Sequence, residues 1–369
     1  MPKSNTAADL ACAVLAALLA LSCAPKTVDR APPLPAQCPP QGERDVVRWF
    51  QVGDPGEREE LLRWCAAVGP PVVESGPAAP AAVVIDSMVV ITWNTHVGGG
   101  SLGYFIRQLR TGVLTGGRPV RNFVVLLQEA YREGYDVPAE LPAGGLYASD
   151  IFPRRELGVR RGIRQVASEE GLHAFYVPAM RNGIDRVPPE DRGNAILSTL
   201  PLTDYTAWEL PLRYQRRVTV GATVSGETSD GRPWQLTLVD VHLDNRSGLQ
   251  SLVQSFTRAR VRQTEFLLDH IPQGGAAVLG GDLNTWLGEA QEPAVRLIRE
   301  SFTVPADLPS HGTLKFGAIL ERQTDFLFFR LPAGWRARYR RVGGTYGSDH
   351  YPLLGWVVFG TPQLSKEGG

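Results

Sequence analysis

Six short apolar runs in this chain have chemically loaded ends, and the order of polar and apolar residues within them limits how the chain can fold. "SMVVITWN" runs apolar and then meets Asn94, and "NFVVLLQEA" likewise meets Glu129. "LTLVDVHLDN" alternates and delivers His242, while "GGAAVLGGDLN" finishes in Asp282 and Asn284. In the last two the order reverses: Asp325 precedes the apolar run of "TDFLFFR", and Asp349 and His350 precede that of "GSDHYPLLGWVVF". Runs of this length and β-branched content read as strands. If all six polar sets share one edge, the last two strands run antiparallel to the first four. That predicts mixed sheets in an α/β domain, not a doubly wound parallel sheet.

The chain has 369 residues, enough for one large domain or two small ones. Its 38 basic residues balance 38 acidic ones, which removes the case for a strongly basic nucleic-acid binder but leaves a local basic groove open. The first residues place Lys3 before an apolar stretch from Leu10 to Leu21, too short to span a bilayer and suited to a secretory leader. Its "LALSC" ending resembles a bacterial lipoprotein signal, which implies lipidation at Cys23; an ordinary cleaved signal is the other reading. In an exported compartment Cys38 and Cys65 can pair as a disulfide, and two buried thiols is the equal alternative.

The expected organisation is a signal over 1–23, a Pro/Ala-rich tether over 24–82, a catalytic domain over 83–360 and a tail over 361–369. The only ordered piece expected in the tether is a helix in "DPGEREELLRWCAAVG", with Asp54 as N-cap and Pro55 at the first helical position. A second helix is read in "LVQSFTRARVRQTEFLLDHI", whose Arg258, Arg260 and Arg262 fall on other faces than its apolar residues and are expected to be solvated. The glycines of "GGDLN" are expected to let backbone approach a ligand closely.

Together the strand ends supply the acids Glu129, Asp282, Asp325 and Asp349, the amides Asn94 and Asn284, and the imidazoles His242 and His350. Carboxylate and amide oxygens are the hard ligands that Mg²⁺ prefers, with Mn²⁺ a possible substitute, and zinc would want more His or Cys. An imidazole oriented by an acid can hold or move a proton at a phosphate ester, and Asp325 is the candidate for that orienting role. Any single strand-end Asp or Asn reads more simply as a turn former. The same holds for His96, His173, His270 and His311, read as core or surface residues. Six loaded ends in one domain are much harder to dismiss.

The ordered set "WN", "LLQE", "RGNAILS", "VHLDN", "GGDLN", "TDFLF" and "SDHYPL" resembles the endonuclease/exonuclease/phosphatase superfamily over roughly Val83 to Phe359. The resemblance implies a four-layer α/β sandwich, two packed mixed sheets flanked by helices. It implies metal binding by Glu129, with Asn94 and Asp349 beside it, and catalysis by His350, Asp282, Asn284, His242 and Asp325, with Asn194 near the substrate. Where some members carry an acid two residues beyond the first Asn, this chain has His96, and no residue that would steady His242 can be placed. The activity implied is metal-dependent hydrolysis of phosphate esters by in-line attack of water, by a monomer held at a membrane through its lipid. A nuclease-type phosphodiesterase leads over a phospholipid or inositol-phosphate hydrolase, and a non-catalytic phosphate-binding protein is the rival class. Basic stretches 154–164 and 212–217 suit nucleic acid, and the loop 135–152 suits a phospholipid headgroup.

Overall fold

The computed structural model describes residues 26–27, 46–77, 83–148, 160–245, 254–285, 292–306, 312–316 and 320–360. The leader, Cys23, Cys38, His311 and the tail after 360 lie outside the described residues, as do Arg154 and most of the basic stretch around it. Among the described residues no helix is long and apolar enough to cross a membrane.

Two large sheets form the body. In the first, the strands Leu146–Ala148, His173–Asn182, Glu190–Ser198, Phe123–Glu133, Ser87–Asn94, Leu353–Val358 and Arg336–Arg341 lie side by side in that order. The second runs Asp325–Arg330, Ala277–Asp282, Pro233–His242, Val218–Glu227, Thr203–Glu209 and Arg48–Phe50. Ser87–Asn94 pairs parallel with Phe123–Glu133 and antiparallel with Leu353–Val358. Pro233–His242 likewise pairs parallel with Ala277–Asp282, which pairs antiparallel with Asp325–Arg330. Both sheets are mixed, in the directions that the six loaded ends require.

Both faces of the first sheet are covered, which explains why its strands are continuously apolar. Successive side chains point to opposite faces. Met88 and Val90 join Val124 and Leu126 in the core shared with the second sheet, while Val89, Ile91 and Trp93 join Phe123, Val125 and Leu127 under helices Leu102–Arg110 and Ile163–Glu170. On the outer side of the second sheet, Leu267 of helix Gln254–His270 and Val295 and Ile298 of helix Pro293–Ser301 close the fourth layer.

Three expectations need correction. The segment read as a tether is, over residues 46–77, part of the body: Arg48–Phe50 adds a strand to the second sheet, Val72–Glu74 adds one to the first, and Trp64 is fully buried. Only the helix Pro55–Cys65 was foreseen there, capped as expected by Asp54, whose Oδ1 accepts the Glu57 N–H at 2.8 Å. Cys65 in this helix is disulfide-bonded. Arg260 is not solvated: it is fully buried and forks onto Glu292 at 3.0 and 3.1 Å, joining the two outer helices, while Arg258 and Arg262 are exposed. Finally, the space left by Gly280 is filled by Leu327, Leu126 and Thr92 across the two sheets, so this glycine serves packing of the protein on itself.

Candidate active site

One register row crosses the second sheet: His242 is opposite Asp282, and Asp282 is opposite Asp325. Residues opposite one another across a sheet project to the same face, so three chemical groups converge without any loop arranging them. The fourth comes from the other sheet. The turn carrying His350 is tied to the end of Ser87–Asn94 by Ser348 Oγ donating to the Asn94 carbonyl at 2.7 Å and Trp93 Nε1 donating to the His350 carbonyl at 3.0 Å.

His350 Nδ1 lies 2.8 Å from Asp325 Oδ2, and its Nε2 lies 3.9 Å from Asp282 Oδ2. His242 Nε2 approaches the same oxygen at 3.6 Å. Asp282 is itself held at both ends: Asn94 Nδ2 donates to Oδ2 at 3.0 Å and the Asn284 N–H donates to Oδ1 at 2.9 Å, with Asn284 in the left-handed region at φ 50°. One Asn284 amide proton is committed to the Leu243 carbonyl at 2.9 Å, leaving the other for a ligand. All of Asp325, Asp282, His242, His350 and Asn94 are buried.

This packing separates the two imidazoles chemically. Against burial, which lowers it, the charge and hydrogen bond of Asp325 raise His350 to about 10. Burial and the Asp325 charge push the Asp282 carboxyl up to about 7. His242 goes the other way, held well below the ordinary histidine value by burial and by Arg217. Arg217 Nη1 sits 3.1 Å from His242 Nδ1. A guanidinium has donors only, so Nδ1 must accept, and the His242 proton stands on Nε2, the atom facing Asp282. Arg217 is the steadying residue that could not be placed from sequence; "LRYQRR" offered it only as part of a basic stretch.

The raised His350 has a testable sign. Its contribution to stability is complete below the unfolded value of 6.5 and is lost as pH rises through about 10. Thermal unfolding of metal-free protein across that window is expected to show wild type losing its advantage over His350→Gln. A constant difference between the two at all pH values would sink this assignment.

Glu129, Asn94 and Asp349, expected as the metal group, have three different settings. Glu129 lies in a bulge of Phe123–Glu133 at φ 52°, where the register shifts between Leu127 and Ala130, and such bulges re-aim a side chain. Asn94 is built into the Asp282 cradle, and its Oδ1 accepts the His96 N–H at 3.0 Å. Asp349 is half-buried and paired with His96 Nδ1 at 2.6 Å; against burial, that hydrogen bond holds its carboxyl below the usual range. His96, read from sequence as a core or surface residue, is thus part of the site. Among the described residues, Asp282, Asp325 and His350 form the group whose candidate ligand atoms lie within 4.8 Å of one another. The carboxylates present are hard oxygen donors, and they fit a divalent cation.

Asn194 donates to the Asp240 carbonyl at 3.0 Å and lines a narrow cavity with Glu129, Arg192, Arg217 and His242. Arg160, Arg161 and Arg164 are taken up by Glu190, Glu169, Glu74 and Asp136, so the described part of that basic stretch presents no free groove. In the loop after Glu133, Val137, Leu146 and Tyr147 turn inward, and Tyr135 stands exposed.

An acid-backed imidazole faces a doubly anchored carboxylate where two mixed sheets meet, an arrangement suited to proton transfer in ester hydrolysis. Residues 91–357 match the endonuclease/exonuclease/phosphatase family, and the chain belongs to it. No curated protein matches the chain. Among solved structures it is similar to an endonuclease/exonuclease/phosphatase from Beutenbergia cavernae at 18% identity, over 74% of this chain and 72% of that one, with a TM-score of 0.49. An AP endonuclease from Archaeoglobus fulgidus is similar at 14% identity, over 74% and 99% of the two chains, with a TM-score of 0.46. A 3′ phosphatase from Neisseria bound to a product DNA hairpin is similar at 18%, over 73% and 98%, with a TM-score of 0.42.

Proposed function

We propose that this protein is a Mg²⁺-dependent phosphodiesterase of nuclease type. The observation that carries the reading is the convergence of His350 Nε2 and His242 Nε2 on Asp282 Oδ2, at 3.9 and 3.6 Å. A buried carboxylate with both oxygens anchored still has lone pairs to accept a proton from an attacking water. His350, kept protonated by Asp325, can give a proton to the departing ester oxygen, and a diester leaves as an alkoxide that needs one. His242 donates its Nε2 proton to a phosphoryl oxygen, and the second amide proton of Asn284 does the same. A divalent cation held by Glu129 with Asp349 and the oxygen of Asn94 would supply Lewis-acid stabilisation of phosphoryl charge.

The test is hydrolysis of plasmid DNA and of bis(p-nitrophenyl) phosphate by the leaderless chain, with Mg²⁺, with Mn²⁺ and with EDTA. Cleavage of both that needs the metal is expected. Folded protein that cleaves neither with either ion would overturn the reading, and cleavage of sphingomyelin alone would move it to phospholipid headgroups, for which the exposed Tyr135 is the supporting feature. The leader and Cys23 support an exported, membrane-anchored form, checked by incorporation of labelled palmitate that Cys23→Ser abolishes.

A further inference from the structure

Among the described residues, two buried guanidiniums beside His242 have no carboxylate at ion-pair distance. Arg192, on the strand Glu190–Ser198, is 6% exposed, and Arg217, just before the strand Val218–Glu227, is 4% exposed. Elsewhere in the interior Arg132 meets Asp191, Arg186 meets Glu190, Arg216 meets Glu209 and Arg260 meets Glu292, while Arg181 is held by the Pro138 and Ala139 carbonyls. Arg192 touches only the Met180 sulfur at 3.5 Å, and Arg217 only His242 Nδ1 at 3.1 Å, by hydrogen bonds among the described residues. The Nε atom of each is buried with no partner there.

A buried guanidinium with no carboxylate at ion-pair distance is costly to keep charged. Two of them side by side therefore mark a place meant for an anion. Both line the cavity shared with Glu129, Asn194 and His242, whose free volume of about 10 Å³ admits a single oxygen atom. Asp244, Glu129 and Asp282 act on Arg217 from beyond ion-pair distance and offset its burial only in part.

The cavity is set apart from the point of attack. His242 presents Nε2 to Asp282 and Nδ1 to Arg217, so its ring stands between the carboxylate and the guanidinium. An anion bound at the arginines is then a neighbour of the phosphate under attack. We propose that Arg192 and Arg217 receive an oxygen of a second, non-scissile phosphate, so that the substrate carries two phosphate groups in close succession. This rests on the hydrolase reading above. A choline headgroup, with one phosphate and a cation beside it, is disfavoured by the same two charges.

The probes are inorganic phosphate and pyrophosphate, titrated calorimetrically into the full chain in EDTA. Wild type is expected to bind pyrophosphate about tenfold or more tightly, since charge-assisted bonds to a buried guanidinium are strong. Arg192→Gln is expected to bring the ratio close to one, and Arg192→Lys to keep an intermediate ratio. Equal binding of the two probes by wild type, or a ratio unchanged in a folded Arg192→Gln, overturns the subsite. With Mg²⁺, turnover of bis(p-nitrophenyl) phosphate is compared with that of a 5′-phosphorylated dinucleotide and of an inositol bisphosphate. Preference for either two-phosphate substrate supports the subsite and names its source. Turnover of the single-phosphate diester with no such preference overturns the subsite alone. No turnover of any ester, with pyrophosphate still preferred in binding, overturns the hydrolase reading and leaves the subsite standing.

Discussion

Replacing His350 by glutamine is expected to lower kcat roughly a thousandfold on phosphate esters with an alkoxide leaving group, with KM little changed, and to cost much less on bis(p-nitrophenyl) phosphate, whose nitrophenolate leaves without a proton. Two features of the site set that magnitude. The ring is fixed by the 2.8 Å contact with Asp325, which is fully buried and further tied by Thr324 Oγ1 donating to Oδ2 at 2.8 Å and by its own N–H donating to Thr313 Oγ1 at 2.9 Å. Its far nitrogen lies 3.9 Å from Asp282 Oδ2, close enough for one reacting oxygen beside them to be within hydrogen-bond reach of both. Glutamine can still donate one hydrogen bond but cannot hold a mobile proton, so the loss falls on the chemical step.

Asp325→Asn should cost less, on the order of a hundredfold, because the imidazole remains but loses the charge that keeps it protonated. Single-turnover rates beside circular dichroism of each variant check both expectations. A folded His350→Gln that keeps kcat within about tenfold of wild type would remove His350 from the proton-transfer role. Arg217→Met gives an independent readout: the nitrogen shifts of the His242 ring should report the loss of a fixed Nε2–H tautomer.

How much of this was legible in the sequence follows from which contacts are local. The direction of the strands was legible because a polar group before or after an apolar run fixes which end of the strand faces the site. The row His242, Asp282, Asp325 follows from those directions once the strands are neighbours, although neighbourhood itself is a tertiary fact. Arg217 was not legible in its role. It lies 25 positions from His242, and in a run with Arg213 and Arg216 nothing marks one arginine as buried against an imidazole. Arg260 failed for a related reason: helical spacing placed it off the apolar face, but a second helix carrying a buried partner, Glu292, covers that face too. The short strands Arg48–Phe50 and Val72–Glu74 were hidden by Pro- and Ala-rich flanks, and their pairing comes from the edges of sheets assembled elsewhere in the chain.

The glycine pair of "GGDLN" carries the largest expected effect on stability, and the two positions are expected to differ. At Gly281, φ is 156° and an added Cβ would come within 1.8 Å of the Val241 carbonyl oxygen. That oxygen belongs to the backbone of the paired strand, one residue before His242, so relief requires parting the strands at the row that holds His242, Asp282 and Asp325. Overpacking and backbone strain together put the cost of Gly281→Ala at about 3 to 5 kcal/mol. At Gly280 the nearest atoms are the Leu327 Cδ2 at 2.7 Å and the Leu126 Cδ1 at 2.9 Å, both ends of flexible side chains, and Thr92 Cβ at 3.2 Å. Those tips can turn aside, so Gly280→Ala should cost only about 1 to 2 kcal/mol. Urea unfolding of the two variants measures the difference directly. Equal costs would mean that the strands can part freely at Val241, and the register row could not then be what holds His242 against Asp282.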